Sequence, residues 1–158
     1  MKMRQLIRRT RIRAPVEQVF HWHEVPGAFE RLVPPGEPVR LVSQTGGIRD
    51  GGRAELAIGY PPICIRWTAE HNSYIENRQF RDVQIRGPFS RWEHTHVFEA
   101  DGPDACYLED RVEYALPAGF LGRWLLGAFV ERKLNSLFEY RHRVTREANE
   151  AGDARTGR

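Results

Sequence analysis

GPFSRWEHTHVFE, residues 87–99, begins at a Gly-Pro turn and then alternates without a break. Successive side chains of an extended strand leave opposite faces. Trp92, His94, His96 and Phe98 therefore share one face, and Glu93, Thr95 and Val97 the other. Two aromatics and two imidazoles in one row make neither a dry core nor a solvated surface. The row reads as one wall of an amphipathic pocket, in which apolar area supplies affinity and a few polar groups orient what binds.

Strands and turns continue on both sides of this stretch. Candidate strands lie at 38–45, 53–60, 63–76, 78–86, 89–100 and 105–116. They are separated by Gly46-Gly47, Asp50-Gly51-Gly52, Pro61-Pro62, Asn77, Gly87-Pro88 and Asp101-Gly102-Pro103. Short turns between long neighbouring strands predict an antiparallel meander. Upstream, residues 3–14 read as a first strand ended by Ala14-Pro15, since the residue before proline avoids helix while proline suits a helix's first turn. Two short helices follow, at 16–23 and 28–33, divided by Pro26-Gly27 and closed by Pro34-Pro35. Downstream, one long helix is expected from Leu121 to Ala148. The fold class is α+β, a seven-stranded curved antiparallel sheet with a long helix across its concave face. A single domain over 1–148 and a disordered tail at 149–158 are expected.

Composition narrows the function classes. A chain of 158 residues with 41% hydrophobic and 28% charged residues is ordinary for one globular domain. The two cysteines, Cys64 and Cys106, form no metal or redox motif and no disulfide framework. No window approaches the roughly 18 apolar residues of a membrane span, and no apolar leader region opens the chain. A cytoplasmic location is expected. Lys2, Arg4, Arg8, Arg9, Arg11 and Arg13 place six positive charges in the first thirteen residues, so the remainder of this +3 chain is net negative. That basic strand reads either as a solvated strand or as a patch for an anionic membrane surface. No nucleic-acid-binding pattern accompanies it, and no nucleic-acid partner is expected.

Several residues are candidates for the pocket. His94 and His96 leave the same strand face, as a chelating pair does, but a metal needs three or four ligands. No cysteine or carboxylate stands at partnering spacing, so neither a metal nor a cofactor is expected. On 63–76, Ile63, Ile65, Trp67, Ala69 and His71 share a face. On the last strand Leu108, Asp110, Val112 and Tyr114 do. An aspartate in that set needs a partner if it points inward, and a histidine or Arg86 could serve. On the long helix Trp124, Gly127, Glu131, Leu134 and Phe138 follow 3–4 spacing. Glu131 faces either the cavity or solvent. The expected apolar wall is Trp67, Trp92, Phe98, Tyr114, Trp124 and Phe138, with His71, His94, His96, Asp110 and Glu131 as polar contacts.

This element order, together with TRIRAPVEQVFHWH (10–23), IRWTAEH (65–71), FRDVQIRGPFSRWEHTHVFE (80–99), EDRVEYALP (109–117) and YRHRVT (140–145), resembles the START-like or SRPBCC superfamily. The resemblance covers about residues 3–147. It is nearest to a bacterial, polyketide cyclase/dehydratase-like branch whose domains occur alone or joined to nucleotide-sugar-epimerase-like domains. It implies the helix-grip fold and a cavity for a hydrophobic ligand such as a lipid, quinone or polyketide. It places no catalytic motif on this sequence, and fold alone does not settle function. Binding of a hydrophobic or amphipathic small molecule is the expected function. The alternatives are a cyclase or dehydratase using the histidines and Asp110, and a module that docks on an epimerase-like enzyme or a membrane.

Overall fold

The structure, a computed structural model, describes residues 2–117 and 123–151, the side chains of 123–125 excepted. β1 (Arg4–Ile12) leads into α1 (Val16–Trp22) and α2 (Ala28–Arg31). β2 (Val39–Thr45), β3 (Arg53–Tyr60), β4 (Ile63–Ile75), β5 (Gln79–Arg86), β6 (Arg91–Ala100) and β7 (Cys106–Ala115) follow, then α3 (Arg123–Glu150). Proline and glycine sit where the chain turns, and the strand ends fall within two residues of the sequence expectation.

The sheet order is β1-β7-β6-β5-β4-β3-β2, with every neighbouring pair antiparallel. β2 to β7 form a meander, and β1 pairs with β7. The first two strands are therefore opposite edges, and α1 and α2 carry the chain between them. α3 lies against the sheet through Leu134, Phe138, His142, Thr145 and Asn149, all buried and spaced by three or four residues. The helix runs through Glu150, beyond the expected start of the tail at 149, because its last turn is held. The Gln18 amide donates to the Asn149 carbonyl at 3.0 Å, and the Arg13 backbone N–H donates to Glu150. Residues 152–158 of that tail lie outside the described residues.

The interior is divided. One apolar cluster joins Ile12, Val19, Phe20, Phe80, Phe98 and Leu108. A second joins Leu6, Trp92, Val112, Tyr114, Leu134 and Phe138. Between them runs a belt of buried polar side chains, His94, His96, Asp110 and His142.

β4 departs from simple alternation. It carries an extra residue between Asn72 and Ile75, with Ser73 at a φ of 56°, and Tyr74 thereby turns inward against Phe20. Ile63 and Ile65, expected on the inner face, are 81% and 48% exposed. Pairing with β5 begins only at Thr68, so Ile63 and Ile65 have no strand beside them on that side.

Arg4, Arg9 and Arg11 of the first strand meet acids. Arg9 bridges Glu99 and Glu109 at 2.8 and 3.0 Å, and Arg11 meets Asp101 at 2.7 Å. Among the described residues no helix is long and apolar enough to cross a membrane.

Candidate functional site

A cavity of about 880 Å³ lies between the concave sheet and α3. Leu41, Leu56, Ile58 and Ala69 line it from the sheet, Phe29 and Val33 from α2 and its exit, and Leu134 and Leu137 from α3. One edge of it runs between α3 and residues 24–37. That edge is clasped by Lys133 to Glu37 at 2.8 Å and by Arg141 Nε–H donating to the Leu32 carbonyl at 3.3 Å. Burial lowers the Arg141 pKa, against the pull of Asp110 and Asp82.

Polar groups gather at one end of the cavity. Cross-strand register puts Asp82 of β5 between His71 of β4 and His94 of β6. The next rung pairs His96 of β6 with Asp110 of β7. His94 Nδ1 lies 3.1 Å and His96 Nε2 3.6 Å from Asp82 Oδ1. The far nitrogens of the same rings, His94 Nε2 and His96 Nδ1, lie 3.2 and 2.9 Å from Asp110 Oδ1. Those three atoms are within hydrogen-bond distance but not aligned for it. Asp110 Oδ2 accepts from His142 Nε2 at 3.0 Å, and the Thr10 hydroxyl is 2.8 Å from Nδ1 of that ring. Trp92 Nε1–H donates to Asp82 Oδ2 at 3.2 Å. Phe80 stacks on His96 with ring centroids 4.1 Å apart.

The electrostatics follow from this packing. Burial works against a charged imidazole at His94, but Asp82 and Asp110 outweigh it and hold its pKa up at about 9. Asp82 and Asp110 are desolvated, which alone would raise them. The histidines hold both well below the usual carboxylate range. His23, at the top of α1, is pushed down to about 4 by burial, helped by His96. Its Nδ1–H donates to the Val19 carbonyl at 2.8 Å. His71 is lowered by burial, and its Nδ1–H donates to the Gly52 carbonyl at 3.3 Å.

Of the residues singled out in the sequence, Trp67, His71, Trp92, His94 and His96 line the cavity. Phe98, Asp110, Tyr114 and Phe138 lie one layer behind it, buried against the wall rather than in it. Asp110 has three histidine partners, and Arg86, the other partner considered, is exposed. Glu131 faces solvent, with its side chain 59% exposed and paired to Arg4 at 3.1 Å. Arg4 reaches it across Gly127, where a Cβ would collide with the guanidinium. The Trp124 side chain lies outside the described residues.

Sequence reasoning missed Asp82 and His142, and it set His23 on the inner side of the first helix without counting it among the site residues. Asp82 is found only through strand register, which one strand does not encode. His142 stands four residues after Phe138, a helical spacing that points to it directly. His23 belongs to His21-x-His23, where only the second ring turns inward.

The family model described as polyketide cyclase / dehydrase and lipid transport matches residues 12–139. Among curated proteins, none matches the chain. Three solved structures have the same fold. A nucleoside-diphosphate sugar epimerase from Corynebacterium glutamicum is 26% identical with a TM-score of 0.70, the match covering 90% of this chain and 28% of that one. The Zhui aromatase/cyclase from Streptomyces sp. R1128 is 18% identical at a TM-score of 0.66, over 96% of this chain and 99% of that one. A START superfamily protein from Mycobacterium smegmatis is 14% identical at 0.68, over 93% and 97%. The chain thus spans nearly all of the last two and about a quarter of the first. With seven antiparallel strands gripping one long helix, and the family match running from the end of β1 into α3, this chain belongs to the polyketide cyclase / dehydrase and lipid transport family.

Proposed function

We propose that the protein binds a hydrophobic or amphipathic small molecule, of lipid, quinone or polyketide type, between its sheet and α3. The carrying observation is the cavity itself. Its 880 Å³ lies in the upper part of the range of about 300–1,000 Å³ found for ligand sites. Its walls are aliphatic and aromatic, and its charged groups are confined to the inner polar end and the rim. Such a site takes a ligand with an apolar body and a polar group seated against Asp82, His94 and His96. Filling the cavity tests this better than emptying it. Ala69→Trp places a large ring in the void from β4 and leaves the polar end in place. It is expected to abolish binding of the fluorescent probe 1-anilinonaphthalene-8-sulfonate and its displacement by palmitate or menadione, with the circular dichroism spectrum retained. Unchanged probe binding in this variant contradicts the reading.

A second reading is favoured by one observation, that imidazoles and carboxylates face the cavity directly. A cyclase or dehydratase needs a base to take a proton next to a carbonyl and an acid to protonate a leaving hydroxyl. Asp82, His94 and His96 supply both kinds of group. Turnover of a polyketide-type substrate that is lost in His94→Gln and His96→Gln would support this reading over binding alone. The likeness to one segment of an epimerase chain supports a further role beside an enzyme of that kind, tested by co-purification. Both cysteines are free thiols, which fits a reducing cytoplasm.

A further inference from the structure

Asp82 Oδ1, one nitrogen of His94 and one of His96 all lie within 4.8 Å of one another. All three residues also line the cavity. We propose that Asp82, His94 and His96 form a binding site for a divalent first-row transition-metal ion, open on its remaining side to the cavity.

Three observations carry this. The first is donor spacing. Ligands bound at about 2.1 Å stand about 3.0–3.4 Å apart at octahedral or tetrahedral angles. His94 Nδ1 lies within that range of Asp82 Oδ1, at 3.1 Å, and His96 Nε2 slightly beyond it, at 3.6 Å. The second is the donor set, two imidazoles and one carboxylate with open positions, which suits iron(II), zinc or cobalt rather than calcium or magnesium.

The third is the shell behind the donors. Metal-bound histidines generally give their other ring N–H to a carboxylate, and bound carboxylates are themselves hydrogen-bonded. Both far nitrogens here, His94 Nε2 and His96 Nδ1, converge on Asp110 Oδ1. Asp110 is oriented in turn by His142, and Trp92 Nε1–H holds the second oxygen of Asp82. Asp82 and Asp110 together also supply two negative charges to balance a dication. The inference stands apart from the identity of the cavity's organic ligand, because the metal alone is the probe.

Cobalt(II) titration of the intact chain, followed by visible absorption, tests it. One equivalent is expected to produce d–d bands, removed by zinc in competition. Asp82→Asn, which preserves shape, is expected to weaken the site roughly tenfold or more, and His96→Gln to do likewise. His21→Ala, at a histidine 73% exposed outside the cluster, is expected to change nothing. Circular dichroism checks that each variant is folded. Absence of bands in the wild-type chain at millimolar cobalt would overturn the proposal whatever the variants do. So would bands that persist at full affinity in Asp82→Asn, which marks adventitious surface binding.

Discussion

Asp110 and Glu131 are both acids within the helix-and-sheet frame, and their surroundings give them opposite weights. Asp110 is 3% exposed and holds three imidazoles. Removing one member of a buried charged set leaves the others uncompensated, so Asp110→Ala is expected to cost about 3–5 kcal/mol of stability. Glu131 is in an exposed pair, for which loss costs at most about 1 kcal/mol, and Glu131→Gln is expected to leave both stability and probe affinity intact. Urea unfolding of the two variants checks the contrast, and similar losses in both would contradict it. The same pair shows what the sequence discloses at this scale. Helical spacing alone sets Glu131 in line with Leu134 and Phe138. Nothing local says that Arg4, more than a hundred residues away, passes over Gly127 to draw it outward. Alternation in 91–98 exposes the inward row of β6 because no bulge interrupts that strand. Asp82 remains hidden, since its place beside His94 depends on how two strands align.

At the level of elements, the loop between β2 and β3 determines how the far side of the polar end is seated. The Gly51 N–H donates to the His71 carbonyl at 2.9 Å, and the His71 N–H donates to the Gly52 carbonyl at 2.7 Å. Gly52 is packed so closely that a Cβ there would overlap the carbonyls of Gly47 and Arg49. Gly52→Ala is expected to strain the loop by roughly 1–3 kcal/mol and to speed hydrogen exchange of the His71 amide. An unchanged exchange rate contradicts that coupling. Turn residues announced nearly every element boundary, because proline and glycine act through local backbone sterics. The exposed start of β4 was not legible in the same way. Ile63 and Ile65 have the parity and composition of core residues, yet they are exposed where β4 lacks β5 beside it.

For the whole molecule, the division of the interior decides what it can do. Two apolar clusters bracket the polar belt, and the helix and sheet close around a space they do not fill. The cavity of 880 Å³ between helix and sheet is the space that the proposed ligand would fill. The cavity was legible as an expectation from element order, but its volume depends on how far α3 stands off the sheet, which no residue pattern encodes. Native mass spectrometry of protein purified gently from its own source, with solvent extraction of anything bound, is the most direct measurement. The wild-type chain is expected to carry a stoichiometric lipid, quinone or polyketide-type mass that Ala69→Trp lacks. A bare wild-type mass with an empty extract, from a protein that also fails to take up palmitate or menadione, would contradict the ligand-binding function.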